Sequence, residues 1–127
     1  MSKLTIKMEM PSLEDIKKLS MRKFIAGQNI LTEECKKFSD KYTPKSPAIN
    51  LMREFEWDKD TKTGAVIGWT YLVPYANRQW HGLTEEGEPF NYSKDVNPQA
   101  QSRWTEKAAI EHRPEIMAAV IKAIKNG

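Results

Sequence analysis

The chain is poor in the residues on which most small-protein chemistry relies. Its 127 residues include one cysteine, Cys35, and two histidines, His81 and His112. A lone thiol cannot close an internal disulfide and gives no sign of an oxidising compartment. Two distant histidines without a second cysteine make no zinc pattern. The six glycines stand singly, so neither Gly-x-Gly-x-x-Gly nor the phosphate-cradling Gly-x4-Gly-Lys-Ser/Thr occurs. No run of about 18 apolar residues exists to span a bilayer. The first residues, Met-Ser-Lys-Leu-Thr-Ile-Lys-Met-Glu, alternate where a leader would carry an apolar stretch, so no signal peptide is expected. These absences point away from membrane, disulfide-stapled and cofactor-bearing classes.

Charge is nearly balanced, at +3 overall. Residues 1–50 carry 10 Lys/Arg against 6 Asp/Glu, while the remainder carries 10 against 11. A mildly basic N-terminal part could face nucleic acid or an acidic protein, but a solvated lysine-rich helix face is the commoner origin of such a bias. The chain does have aromatic bulk: four Trp, four Tyr and four Phe within a 39% hydrophobic composition. That is enough for one core, and the length suits a single domain over 1–127.

Residues 3–10 alternate, with Leu4, Ile6, Met8 and Met10 on one side, and predict a half-buried strand. Pro11 ends it, and Ser12 followed by Asp15 resembles a capping box opening a long helix. Apolar positions Leu13, Ile16, Leu19, Phe24, Leu31, Cys35 and Phe38 then fall near helical spacing. Gly27 interrupts them and is expected to mark a kink or a break into two helices. Pro44 and Pro47 make a stiff connection. Ile49, Leu51, Phe55 and Trp57 share parity, a polar stretch runs over 58–64, and 65–73 is apolar on both faces. This is a β-hairpin whose second strand is central or packed under the helix. A short helical turn should follow Pro74 and stop at His81-Gly82. Residues 82–97 form a long polar loop. Asn97-Pro98 then opens helical segments reaching about His112, with Pro114 starting another. The predicted class is α+β, with an N-terminal strand and long helix, an antiparallel hairpin sheet and C-terminal helices.

No catalytic set emerges. Asp58-x-Asp60 superficially suggests a calcium loop, but Gly64 comes one place late and Trp69 stands where a bidentate Glu is needed, so a hairpin turn is preferred. Cys35, on a predicted helix beside Phe38, reads as a buried structural thiol. Glu85, Glu86 and Glu88 read as a solvated acidic turn, and Asn91-Tyr-Ser93 as an accidental sequon. With no nucleophile–base pair, metal cluster or cofactor motif to name, a non-enzyme is expected. Trp57 and Trp69 are expected in the core. Trp80, beside Arg78, His81 and Gly82, stays open between core and interface.

Tyr71-Leu-Val-Pro-Tyr-Ala-Asn-Arg-Gln-Trp-His-Gly82 resembles the strand, Pro-Tyr-Ala, Arg, aromatic, Gly segment of minor capsid, head–tail connector and tail-completion (neck) proteins of long-tailed bacteriophages and prophages. Asn97-Pro98, Ala100, Trp104 and Ala108 resemble that family's Asn-Pro, Ala, Trp, Ala series, with Tyr92-Ser93-Lys94 placed before it. Tyr42-Thr-Pro44 followed by Leu51 resembles its Tyr-x-Pro…Leu stretch, although Ser46-Pro47-Ala48 stands where the family often has Asp/Asn-Thr-Gly. The resemblance spans roughly residues 42–112. It implies a virion structural protein made in the bacterial host cytoplasm and placed at the head–tail junction. It implies a homo-oligomeric ring, hexameric or higher, docked to other neck, connector or tail proteins, with DNA passing through the lumen without specific binding. It implies no catalytic residue and no cofactor, and makes Pro74, Tyr75, Arg78, Trp80, Tyr92, Asn97, Pro98 and Trp104 the candidate motif or subunit-interface residues. A small nucleic-acid-binding regulator using the basic N-terminal helix is the alternative from another class.

Overall fold

The segment Val-Ile-Gly-Trp-Thr-Tyr, β-branched and aromatic on alternating sides, forms the middle of the sheet. In the computed structural model the described residues are 3–10, 18–44, 51–73, 76–82, 86–89 and 99–126. Strands β1 (Thr5–Lys7) and β2 (Phe55–Lys59) flank the central β3 (Val66–Tyr71), both antiparallel to it. On the inner face Trp69 lies between Ile6 and Trp57, and Tyr71 opposes Phe55. Trp69 and Tyr71 are fully buried. The outer face is polar: the hydroxyls of Thr5 and Thr70 lie 2.9 Å apart, and Thr70 donates to Asp58 at 2.8 Å. The hairpin turn is built around Asp60, whose carboxylate accepts from the Lys62 amide and the Thr63 hydroxyl, while its carbonyl accepts from the Gly64 amide. The fold is α+β with the expected order of strand, helix, hairpin and C-terminal helices.

Register slips at one point. Asp58 faces Gly68 but Lys59 faces Val66, which leaves Ile67 as the extra residue of a bulge. There β1 also runs out: the Met8 amide makes a last bond to the Ile67 carbonyl, 2.8 Å. The chain comes so close that a Cβ on Gly68 would lie 2.0 Å from the Ile6 carbonyl oxygen. Only glycine fits between the two backbones.

Helix α1 (Met21–Ser39) packs across this end of the sheet. Ser20 caps it, its hydroxyl accepting from the Lys23 amide at 3.3 Å. Its buried face is partly polar. Asn29 accepts from the Val66 amide (2.7 Å), Thr32 donates to the Val66 carbonyl (2.7 Å), and Gln28 donates to the Met8 carbonyl (2.7 Å) and to Thr32 (3.2 Å). Backbone groups left over where the ladder stops are thus satisfied by helix side chains.

The helix does not break at Gly27, contrary to the expected kink or break. Gly27 is instead the point where helix α4 (Arg113–Asn126) crosses: a Cβ there would sit 2.9 Å from Ile124 Cγ1 and 3.0 Å from Met10 Cε. Helix α2 (Ala76–His81) is a single short turn-and-a-half stopped by Gly82, and α3 (Trp104–Glu111) meets α4 at His112. Leu31, Leu51, Trp69, Tyr71, Trp104, Ala108, Ile116 and Val120 form the core. Trp57 was expected there too, but it is 40% exposed. Its inward parity is right, yet β2 is an edge strand. One side of the indole packs edge-on against Trp69 and Phe55, and the other meets solvent. Among the described residues no helix is long and apolar enough to cross a membrane.

Gly68→Ala should cost roughly 3 kcal/mol or more, because backbone on the opposing strand must move. Gly27→Ala should cost about 1–2 kcal/mol in the native background despite the better helix former. In an Ile124→Ala background the same change should become neutral or stabilising. Urea titrations of the four-member cycle check this, and an additive result would show that Gly27 does not serve the α1–α4 crossing.

Candidate functional site

Of the residues singled out by the motif series, the described ones, Arg78, Trp80 and Trp104, lie in the elements on either side of the 82–97 excursion. Trp80, half-buried on α2, donates its indole N–H to Thr105 Oγ1 at 2.9 Å, and its carbonyl accepts from the Arg103 amide at 2.8 Å. The Arg103 guanidinium lies over the same indole, 4.8 Å from the centroid, and the His81 ring meets it edge-on at 5.0 Å. Two points 23 residues apart in sequence are therefore fastened through one side chain. Arg103 takes φ 49° and ψ 40°, the left-handed region, which costs a non-glycine residue roughly 1–2 kcal/mol. Its contacts to Trp80, with a further bond to Glu106 at 3.3 Å, hold it there. The left-handed residue turns the chain out of the excursion and into α3.

Trp104 fastens the same place from inside. It is fully buried, its indole N–H donates to the Tyr71 hydroxyl at 3.0 Å, and the two rings meet edge-on at 5.8 Å. It is thus a core residue with no surface to offer a neighbour. Arg78 is half-buried on α2. Pro74, Tyr75, Tyr92, Asn97 and Pro98 lie outside the described residues. From the Tyr-x-Pro stretch, Tyr42 is buried, and its carbonyl accepts from the Gln101 amide at 3.3 Å, tying the segment after α1 to the chain entering α3.

Two arrangements escaped the sequence reading. His112, at the α3–α4 corner, stacks on Phe38 of α1 (4.2 Å, 10°). Its Nδ1 lies 2.6 Å from Glu115, and its Nε2 lies 3.2 Å from the Tyr42 hydroxyl and 3.4 Å from Lys41 Nζ. With Nδ1–H donating to Glu115, Nε2 is the acceptor, and the ring becomes a clip between α1 and the corner. Lys36, read as part of a solvated basic face, is buried: Nζ reaches Asp40 at 2.5 Å and the Met52 carbonyl at 3.0 Å, and lies 4.0 Å over Phe55. Burial pushes its pKa down, against the opposing pull of Asp40. Helical spacing alone could have placed Lys36 beside Cys35 and Ser39 on the inner face, but no sequence signal names its partners.

Chemically the clustered groups bind one another. Burial, followed by the nearby Glu34 charge, pushes the Cys35 thiol up to about 11, far from a reactive thiolate. Among the described residues no three His, Cys, Asp or Glu side chains are placed to hold a metal ion. Comparison with protein-family models, with curated proteins and with solved structures finds no match.

The Tyr71–Trp104 pair has measurable consequences. Tyr71→Phe strands a buried indole N–H and should cost roughly 1–3 kcal/mol. Burial raises Tyr71 from 10.0 to about 12 and Cys35 from 9.0 to about 11. Both folded pKa values are raised, so their stabilisation is complete below about pH 9 and is lost as pH climbs through 9–12. Lys36, whose pKa is lowered, acts with the opposite sign just below 10.5. Urea midpoints should therefore fall above pH 9, and Cys35→Ala should flatten the slope between pH 9 and 11. An unchanged slope in that variant would contradict the assignment.

Proposed function

We propose that this chain is a non-enzymatic structural subunit of a long-tailed phage virion. It acts at the head–tail junction by assembling with its own copies and docking between connector and tail. The ordered motif series over residues 42–112 motivates the reading. The observation that carries it is the use to which the described motif residues are put. Trp80, bonded to Thr105 and Arg103, and Trp104, bonded to Tyr71, fasten the chain on either side of the 82–97 excursion to α3 and to the sheet. None is aimed at a shared reacting atom. Fixed points on either side of the excursion lower the cost of a contact with a neighbouring subunit, because the residues there are already ordered.

The charge of α1 fits a part that surrounds DNA without gripping it. Of its four basic residues Lys36 is buried and Lys37 is paired with Glu34 at 2.7 Å. Affinity for a duplex grows with each phosphate neutralised, so a depleted basic face lets the duplex pass. The same depletion gives no support to the regulator that would bind nucleic acid through this helix.

Disrupting the gene in the phage or prophage that encodes it should leave filled heads and separate tails by electron microscopy, with joining restored by the gene in trans. Joined, infectious particles from the disrupted phage would overturn the proposal.

A further inference from the structure

The imidazole of His112 touches a different element through its face and through each of its two nitrogens. The face stacks on Phe38 of α1, ring centroids 4.2 Å apart. Nδ1 lies 2.6 Å from the carboxylate of Glu115, in the first turn of α4. Nε2 lies 3.2 Å from the Tyr42 hydroxyl and 3.4 Å from Lys41 Nζ, both on the chain just after α1. From α3, Glu111 is within electrostatic reach of the ring and is itself paired with Lys107 at 2.7 Å. His112 is half-buried, whereas Lys41 and Glu115 are exposed.

We propose that His112 is a proton-operated clip: the neutral ring holds Lys41 and Tyr42 through Nε2, and the protonated ring releases Lys41 and binds Glu115 more strongly. This stands apart from the virion role. Imidazole is the side chain whose charge ordinarily changes between pH 5 and 8, while ammonium and phenol groups keep theirs. The Glu115 carboxyl is held below its usual range, first by the hydrogen bond from His112, so it stays ionised across that interval. In the neutral ring Nδ1–H donates to Glu115, which leaves the Nε2 lone pair to accept from the Tyr42 hydroxyl and the Lys41 ammonium. A proton added at Nε2 occupies that lone pair. Lys41 then faces a donor with a donor and a cation with a cation.

The two Nε2 partners respond differently. A hydroxyl both donates and accepts, so Tyr42 turns to accept from Nε2–H, but an ammonium has no lone pair to offer. Tyr42 is also buried and tied through its carbonyl to the Gln101 amide, while exposed Lys41 is able to swing into solvent. On the other nitrogen, the bond to Glu115 becomes charge-assisted on both sides. Lys41 lies 71 residues from His112 in sequence and Glu115 only three. Acidification therefore trades a long-range fastening between the end of α1 and the α3–α4 corner for a local one at the start of α4.

Urea titrations of the full chain at pH 5 and pH 8 test this with Lys41→Met and Glu115→Gln, each in the native and in a His112→Gln background. Glutamine stands in for the ring as a group that never takes a proton. Relative to its effect at pH 8, Lys41→Met should raise the folded-to-unfolded ratio at pH 5 by about two- to fivefold, the range of an exposed charge pair. Glu115→Gln should lower that ratio more at pH 5 than at pH 8. Both differences should vanish once His112 is glutamine. Equal effects at the two pH values, or differences that survive His112→Gln, would overturn the proposal. Imidazole ¹⁵N spectra of the native chain need no variant to fold. At pH 8 the ring proton of His112 should sit on Nδ1, and finding it on Nε2 would be equally fatal to the clip.

Discussion

Everything in this fold is indexed to the place where the β1–β3 ladder stops. The central strand continues past its neighbour, and an extended backbone cannot leave amide and carbonyl groups bare inside a protein. Three side chains from about one turn of α1, Gln28, Asn29 and Thr32, take up those groups. Their bonds are directional, unlike the apolar contacts around them. Sliding α1 along the sheet by one residue would keep most of the hydrophobic burial but strand several buried polar atoms, each costing roughly 1–3 kcal/mol. The seam therefore sets a single register between helix and sheet.

The other helices inherit that register. With α1 placed, Gly27 presents a gap in its outer surface and α4 crosses there, close enough that Ile124 occupies the space a Cβ would need. The α3–α4 corner is then fastened back to α1 through the His112 stack on Phe38. Trp104 arrives beneath the sheet in reach of the Tyr71 hydroxyl. The base of the 82–97 excursion is consequently attached to the central strand through a buried hydrogen bond, and to α2 through Trp80. A segment that opens in polar loop chemistry is bounded by some of the most thoroughly packed residues in the chain.

How much of this could be read beforehand depended on whether depth or only direction was at issue. Alternation placed Trp57 on the same side of its strand as Phe55, which the pairing with Trp69 and Tyr71 bears out, and two-sided apolarity marked β3 as either central or packed under the helix. Periodicity carries no information about whether a strand lies at the edge, so the exposure of Trp57 was invisible. Gly27 was recognised as an interruption, but a glycine that breaks a helix and one that admits a neighbouring helix look the same in one dimension. Lys36 was counted with the solvated lysines because its charge outweighs its position in any composition argument. Only the folded chain brings Asp40, Met52 and Phe55 around its ammonium group. Trp80 and Trp104 stood out in the sequence only through a resemblance to an ordered motif series, whereas the left-handed turn at Arg103 that brings its guanidinium over the Trp80 ring gave no signal at all.

The angle between sheet and helices is also set at this seam. A purely apolar helix–sheet contact has no directional bonds to oppose a small rotation, whereas Gln28, Asn29 and Thr32 are hydrogen-bonded to the Met8 and Val66 backbone and lose those bonds if the helix turns. The α3–α4 corner, stacked on Phe38 of α1 through His112, follows the same angle. The polarity buried in α1 therefore fixes how the face built by α1, α3 and α4 is set against the sheet, and any contact made through both faces at once inherits that geometry.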